Sequence, residues 1–172
     1  LEDIALRSTA NGADETLWTK IFSGRVSDWV GDAPYIRFDD AHHRLAFHPS
    51  GRNGVLAVEY AVEDVDLLMQ NSYFLRAAQV KIVDGPGRRP TSNQLFLTFT
   101  GPDGVLFSYV TEGAKITDEG KHRPRQFAKK RLSFCAWGSD CPWPPCSRCS
   151  CACACARLRP RPCCSCACAA VS

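Results

Sequence analysis

The sequence predicts an α+β fold in which two similar β-α-β-β-β modules pair into one domain, followed by a disordered, cysteine-rich tail. Three observations support this prediction. Short segments with alternating apolar and polar residues, separated by glycine and proline turns, are typical of strands. The order of these segments repeats after about fifty residues, which indicates two copies of one supersecondary unit. Ten of the eleven cysteines lie at or beyond Cys141, so the end of the chain differs in composition from the rest.

The first module, at about residues 1–50, contains a strand, a helix and three further strands. Apolar alternation and turn residues place them at Ile4–Ser8, Asp14–Phe22, Arg25–Val30, Ala33–Phe38 and His43–His48. The second module, at about residues 54–112, has the same order. Its elements are predicted at Val55–Val62, Glu63–Gln79, Val80–Asp84, Gln94–Thr100 and Val105–Val110. Its helix carries acidic residues in the first turn, where the helix dipole favours negative charge.

Each module needs a partner, because one such unit alone cannot bury its apolar face. Two curved sheets that pair in this way leave a concave, partly apolar mouth, and small ligands bind in places of this kind. The alternative is an α+β sandwich whose repeat arises by chance. The domain is predicted to cover residues 1–138, including a C-terminal extension. The tail is predicted to cover residues 139–172.

Composition excludes several classes of protein. Apolar residues make up 45% of the 172 residues and charged residues 23%, values normal for a globular chain. No segment approaches the roughly 18 consecutive apolar residues of a membrane span. Without the four arginines of the tail, the chain has 17 basic and 18 acidic residues, so nucleic acid is not an expected partner. The first residues lack the features of a secretion signal, so a cytoplasmic protein is expected; a homo-oligomer is compatible with the sequence.

Several segments carry a resemblance to one family. They are Arg25-Val26-Ser27-Asp28-Trp29, Asp40-Ala41-His42-His43-Arg44-Leu45-Ala46, Gly85-Pro86-Gly87-Arg88-Arg89-Pro90-Thr91-Ser92 and Gly101-Pro102-Asp103-Gly104. Together they resemble the catalytic domain of type I extradiol ring-cleaving dioxygenases, the biphenyl-2,3-diol dioxygenase-like branch of the vicinal oxygen chelate superfamily. The resemblance implies paired β-α-β-β-β modules, a small aromatic molecule as the partner, and iron(II) in the mouth as the cofactor.

The iron ligands that the resemblance implies are not present in this sequence. The family holds iron(II) with two histidines and one carboxylate, which leaves positions open for catecholate and dioxygen. These ligand positions fall on Asp3, Gly54 and Ser108, so the residues themselves predict no metal. Glu59 is not expected to substitute, because an odd offset of five residues from Gly54 points it to the other sheet face. Glu112 lies roughly 13 Å beyond Ser108 along an extended strand, which is too far.

Four other positions are candidate site residues by the same resemblance. His43 matches the histidine that acts as acid and base in the family, and its ordinary pKa near 6.5 suits that role. His42, Arg89 and Thr98 fall on or beside positions that contact substrate or dioxygen. His42 and His43 have a structural interpretation as well, since they can hydrogen-bond the preceding turn. Arg89 either enters the mouth and holds an acidic ligand, or is a solvated loop charge, which is the commoner fate of arginine.

The cysteine-rich tail has two interpretations. Its Cys-x-Cys runs can bind soft metals as a thiolate cluster. The favoured alternative is that its cysteine, alanine, arginine and proline content is the product of a GC-rich coding stretch read in a shifted frame. In either case it has few large apolar residues and is expected to lack a core.

Two hypotheses of function follow from the sequence. The first is an extradiol dioxygenase-like protein of aromatic-compound catabolism, whose family opens catechol-type rings with iron(II). The second is a metal-free domain of the same fold that binds a small aromatic molecule or serves as a structural partner. The site decides between them, because a fold does not establish a function.

Overall fold

A computed structural model describes residues 1–138. The predictions for the tail concern residues 139–172, which lie outside the described part. The described elements are β1 (Asp3–Ser8), α1 (Asn11–Lys20), β2 (Arg25–Val30), β3 (Ala33–Arg37), β4 (Leu45–Pro49), β5 (Gly54–Ala61), α2 (Val65–Ala77), β6 (Ile82–Arg88), β7 (Leu95–Thr100), β8 (Leu106–Thr111) and β9 (Arg125–Phe127). Two short 3₁₀ turns, Pro102–Gly104 and Arg131–Ser133, complete them.

The strands form one sheet in the order β6-β7-β8-β5-β1-β4-β3-β2-β9. Each predicted module supplies four consecutive strands of this sheet, and the antiparallel pair of β1 and β5 joins the two halves. The predicted α+β class and the repeated β-α-β-β-β order are therefore confirmed. The short strand β9, which pairs with β2, was not predicted.

The second helix covers one face of the second half-sheet. It begins after Asp64, whose side chain accepts a hydrogen bond from the backbone N of Leu67 at 2.8 Å and so caps the helix. The buried face of α2 includes Leu68 and Leu75, which pack against Leu95 and Leu97 of β7. Because side chains alternate along a strand, Phe96, which lies between Leu95 and Leu97, points to the other face of the sheet. That other face carries the cavity described below.

The strand predicted at Val80–Asp84 does not end at Asp84, and Gly85-Pro86-Gly87 is not a turn. These residues lie inside β6, which continues to Arg88 through two irregularities in its pairing with β7. A Cβ atom on Gly85 would lie 2.6 Å from the backbone oxygen of Phe96, and Gly85 has a φ of 91°. Glycine is therefore required because β6 passes very close to β7 at this point.

None of the helices within residues 1–138 is long and apolar enough to cross a membrane.

Candidate functional site

A row of polar side chains crosses five neighbouring strands on the sheet face opposite α2. The strand register places them side by side in the order Asp84, Thr98, Ser108, Glu59 and Asp3. All except Asp84 are buried. Directly paired residues lie on the same face with Cβ atoms about 4.5–5.5 Å apart, so the row forms one continuous polar strip in a largely apolar sheet.

The prediction that Glu59 faces away from this strip is wrong. In the pairing of β1 with β5, Ala5 is opposite Ala57 but Leu6 is opposite Val55, so β5 carries one extra residue at this point. This β-bulge changes the alternation, and the odd offset from Gly54 no longer puts Glu59 on the opposite face. Glu59 is paired with Asp3 on one side and with Ser108 on the other.

The same register corrects the assignment of Gly54 to the second ligand position. Gly54 is exposed and pairs with Arg7, four residues along β1 from Asp3. At about 3.3 Å per residue this is roughly 13 Å from the polar row. The position between Asp3 and Ser108 belongs to Glu59.

Arg89 enters the site as a cation. It follows β6 directly, its Nη2 donates a short hydrogen bond to Glu59 Oε1, and its guanidinium lies 5.1 Å from the centre of the Phe96 ring. Only 18% of its side chain is exposed, so the interpretation of Arg89 as a solvated loop charge is wrong. Burial lowers its pKa, but the negative charges of Glu59 and Asp3 outweigh that effect and raise it. Arg89 therefore stays charged in contact with Glu59.

Three carboxyl oxygens at the row have no hydrogen-bond partner among the described residues: Asp3 Oδ2, Glu59 Oε2 and Asp84 Oδ1. For Asp3, burial and then the neighbouring charge of Glu59 raise the pKa well above its usual value, and the more distant Arg89 offsets only part of this. Asp3 thus favours its neutral form. Buried oxygens without partners are uncommon in folded proteins and call for an explanation.

A second polar chain approaches the row from the other half of the sheet. Asp28 on β2 accepts hydrogen bonds from Arg125 Nη2 at 2.6 Å and from the backbone N of Arg125 at 2.8 Å. His42 Nε2 lies 2.9 Å from the same carboxylate, and His42 Nδ1 lies 3.1 Å from His43 Nδ1. His43 Nε2 then faces Asp3 Oδ2 at 3.7 Å. The chain of contacts therefore runs from Arg125 at the surface to Asp3.

Burial sets the protonation of these groups. It lowers the pKa of His43 well below its ordinary value, with the charges of His42 and Arg89 acting in the same direction. Burial also lowers the pKa of His48, which lines the same cavity, to about 3. For Asp28, burial raises the pKa, but the hydrogen bonds from His42 and Arg125 outweigh it and hold the pKa below its usual value. Near neutral pH the site therefore has a charged Asp28 and a neutral His43.

The cavity itself lies over the polar row. Its apolar wall includes Tyr35, Phe96, Phe134 and three alanines, and its polar wall includes the row together with His43, His48, Arg89, Thr91 and Ser133. The space is about 580 Å³ including the part open to solvent, and the part that can hold the centre of a water molecule is about 30 Å³. The cavity as it stands therefore accepts a group of hydroxyl or water size.

The structure brings most of the sequence-predicted site residues together. His43, Arg89 and Thr98 line the cavity with Asp3 and Ser108. His42 lies behind His43, outside the lining, so it can act on a ligand only through His43. Whether these residues bind a substrate or catalyse a reaction stays a prediction.

Sequence reasoning did not identify Asp28, Asp84 or Arg125 as part of this network. Asp28 lies inside a predicted strand and Asp84 ends another, and a charged residue in such a place is a usable signal. Nothing in the sequence marks the contact of Asp28 with Arg125, because 97 residues separate them.

Comparison with known proteins supports the fold assignment. The Mn(II)-bound glyoxalase from Novosphingobium aromaticivorans is similar in structure, with a TM-score of 0.73, 29% sequence identity, and coverage of 80% of this chain and 45% of that chain. BphC, a halotolerant catechol dioxygenase, has a TM-score of 0.71 and 14% identity over 80% of this chain and 46% of that one. The chain has the vicinal oxygen chelate fold.

A third vicinal oxygen chelate protein is comparable. The 2,2',3-trihydroxybiphenyl 1,2-dioxygenase from the dibenzofuran-degrading Sphingomonas wittichii strain RW1 has a TM-score of 0.74 and 13% identity, over 80% of this chain and 49% of that chain. The chain thus spans just under half the length of these vicinal oxygen chelate structures. No protein-family model matches the sequence, and no curated protein matches it.

Proposed function

We propose that this chain is a metal-free domain of the vicinal oxygen chelate fold that binds a small hydroxylated aromatic molecule over the polar row. The observation that carries the proposal is the buried contact of Arg89 with Glu59, at the position between Asp3 and Ser108. A cation of the chain itself thereby balances the charge that a metal ion would otherwise meet.

The residues at this place do not fit iron(II). The iron of an extradiol-type site takes two neutral histidines and one carboxylate. Here the three ligand positions carry the carboxyl groups of Asp3 and Glu59 and the hydroxyl of Ser108, which is already hydrogen-bonded to Thr98 at 2.8 Å. Within residues 1–138 no group of three or more histidine, cysteine, aspartate or glutamate side chains could hold a metal ion. Ring cleavage is therefore not part of the proposal.

The walls of the cavity favour an aromatic ligand. Phe96 and Phe134 line the cavity, and small alanines leave space against the sheet. Rings that meet at an angle or with an offset gain about 0.5–1.5 kcal/mol beyond the burial of their area. Two structural neighbours are named as dioxygenases of hydroxylated aromatic compounds, which supports a ligand of that class here.

Ligand binding is tested with catechol, followed by isothermal titration calorimetry on the full chain. The proposal expects saturable binding with one site per chain. The matched variant Phe96→Leu removes a ring face and should weaken binding severalfold. Absence of binding by the unaltered protein would overturn the proposal and favour the structural role.

Metal binding is tested with Mn²⁺ and electron paramagnetic resonance, because this ion prefers oxygen ligands and competes poorly for the thiols of the tail. The unaltered chain should take up far less than one equivalent. Arg89→Met leaves Glu59 without its cation and should increase Mn²⁺ uptake, whereas Arg88→Met, which removes an ion pair with the half-exposed Glu112, should not. Stoichiometric Mn²⁺ binding by the unaltered protein would contradict the metal-free site.

A further inference from the structure

The rings of His42 and His43 are in contact with each other but face different spaces. His43 lines the cavity over the polar row, whereas His42 lines a second, wider cleft. Both residues are buried, with 4% of His42 and 2% of His43 exposed. His42 Nδ1 lies 3.1 Å from His43 Nδ1, so one hydrogen lies between these two nitrogens. The ring that carries this hydrogen determines what His43 presents to the cavity.

The carboxylate of Asp28 fixes the hydrogens in the state where both rings are neutral. Asp28 is charged and can only accept hydrogen bonds, so His42 Nε2, which lies 2.9 Å away, must carry a hydrogen. A neutral His42 then has no hydrogen on Nδ1, and His43 Nδ1–H donates to it. His43 Nε2 is therefore unprotonated, and it faces Asp3 Oδ2 at 3.7 Å. In this state the pair presents a proton acceptor to the cavity.

A proton that arrives from the cavity converts the pair into a second state. The proton binds to His43 Nε2, and the hydrogen on His43 Nδ1 moves across the 3.1 Å contact to His42 Nδ1. His43 is then neutral with its hydrogen on Nε2. His42 is an imidazolium whose two N–H groups donate to Asp28 and to His43. The donor in the cavity loses one proton and the pair gains one, without oxidation or reduction.

The surrounding groups favour His42 over His43 as the place for the positive charge. Beside His42, the carboxylate of Asp28 is completely buried. At His43, burial, a charged His42 and Arg89 all disfavour an imidazolium and lower the pKa of the ring. Asp3, which faces His43, favours its neutral form. Because opposite charges attract more strongly in a buried site than in water, the position beside Asp28 is the more stable one.

Other groups around the pair act in both directions. Tyr35, whose ring centre lies 4.9 Å from that of His43, keeps its proton because burial raises its pKa. Arg125 opposes a charge on His42, since its Nη2 also binds Asp28, at 2.6 Å. The charged side chains of the cleft at His42 are four acids and two bases: Glu2, Asp40, Glu63, Glu112, Arg44 and Lys115. This excess of acids favours a cation at His42.

We infer that His42 and His43 form a proton relay, in which His43 accepts a proton from a group in the cavity and the positive charge appears on His42 beside Asp28. Asp28 is a positioning residue of this relay, because it acts on the cavity only through the two rings. The relay goes beyond the proposed function. It gives the cavity a base for a weakly acidic O–H or N–H group without placing a second cation next to Arg89.

Nuclear magnetic resonance of the full chain with isotope-labelled histidine tests the relay without a ligand, because the shifts of the ring nitrogens show the tautomer and charge of each ring. The variants His48→Gln and His122→Gln assign the signals of the other two histidines. At high pH, His42 should carry its hydrogen on Nε2 and His43 on Nδ1. As the pH falls, His42 should become an imidazolium, and in the same step the hydrogen of a neutral His43 should move to Nε2.

Three results of this titration would overturn the inference. The first is an imidazolium at His43 in that step, and the second is a tautomer of His43 that does not change when His42 becomes charged. The third is a His42 that stays neutral down to the pH at which the chain unfolds.

Two charge variants should shift the midpoint of this step in opposite directions. Asp28→Asn removes the negative charge beside His42 and should lower the midpoint by about one pH unit or more. Arg125→Gln removes a positive charge from the same carboxylate and should raise the midpoint. The control Arg123→Gln changes an arginine that hydrogen-bonds the backbone oxygens of Gly120 and His122, and should leave the midpoint unchanged.

The opposite signs separate a relay from a purely structural role of Asp28, which would change the stability without shifting the midpoint in two directions. Arg125→Gln decides the matter if Asp28→Asn does not fold, because 53% of the Arg125 side chain is exposed. Shifts of the same sign, or no shift with Arg125→Gln, would overturn the inference. Absence of catechol binding would overturn the proposed function and leave the relay standing.

Discussion

Two aspartates of this chain are buried to the same extent and have opposite properties. Asp28 and Asp3 are 0% and 2% exposed, and both lie on strands of one sheet. Asp28 accepts hydrogen bonds from Arg125 and His42, and its pKa is lowered. Asp3 has an oxygen without a partner and a neighbouring carboxylate in Glu59, and its pKa is raised.

The difference shows that the supply of partners, and not burial alone, decides what a buried carboxyl group does. Both carboxylate oxygens of Asp28 accept hydrogen bonds, and these contacts attach β9 and the C-terminal extension to β2. Near Asp3, the cation Arg89 interacts with two acidic residues, Asp3 and Glu59. The first region is therefore a structural clamp, and the second retains capacity for a ligand.

The largest expected effect comes from giving the Asp3 region a complete set of metal ligands. Asp3→His, Glu59→His and Ser108→Glu, combined with Arg89→Met to remove the internal cation, should create binding of about one equivalent of Mn²⁺ or iron(II), because the result is two histidines and a carboxylate in adjacent register. Electron paramagnetic resonance measures Mn²⁺ uptake, and circular dichroism checks that the fold is kept.

The control for this experiment carries Gly54→His and Glu59→Gln in place of Glu59→His, so that no carboxylate remains at position 59. Gly54 pairs with Arg7 at the far end of β1, so its histidine lies too far away to join the site. Equal metal binding by the two combinations would show that the register described for β1 and β5 is wrong.

The next largest effect is expected from breaking the clamp. Asp28→Ala leaves the guanidinium and backbone N of Arg125 and the ring of His42 without their acceptor, and should destabilise the fold by about 3 kcal/mol. Urea unfolding measures the change. The control Asp40→Ala removes an exposed ion pair with Lys115 and should cost less than about 1 kcal/mol. A similar small cost for Asp28→Ala would remove the contrast between the two regions.

The sequence predicted the order of elements well because short amphipathic strands and turns are local signals. It could not predict the bulge in β5, since one extra residue between Ala57 and Val55 leaves no mark on an apolar strand. That single residue decided whether Glu59 belongs to the site. The interpretation of Arg89 as a solvated charge failed for a related reason, because the residue type favours the surface and only the fold places Glu59 opposite it.

A smaller effect per pH unit is expected from acid. His43 and His48 are buried as neutral rings, with the pKa of His48 at about 3, below the value of 6.5 for an exposed histidine. Between those pH values the unfolded chain binds more protons than the folded chain. The stability that the neutral rings contribute is therefore fully present above about pH 6.5 and is lost as the pH falls, by up to about 1.4 kcal/mol per pH unit for each ring.

Urea unfolding at a series of pH values below about 6.5 measures this slope. His48→Gln does not titrate and should flatten the curve relative to the unaltered protein. Parallel curves for the two proteins would show that His48 is not buried in its neutral form.

The smallest effect concerns Asp3 itself. Because its pKa is raised, the folded chain retains a proton that the unfolded chain releases above about pH 3.8, so stability falls as the pH rises through the folded pKa. Asp3→Asn does not titrate, and its stability relative to the unaltered protein should therefore increase with pH, by at most about 1.4 kcal/mol per pH unit. Thermal unfolding of both proteins across the acid to neutral range measures the difference. For the exposed Asp103→Asn the change should stay within about 0.5 kcal/mol. If Asp3→Asn instead loses stability relative to the unaltered protein as the pH rises, Asp3 has a cationic partner after all, and the two aspartates would be alike.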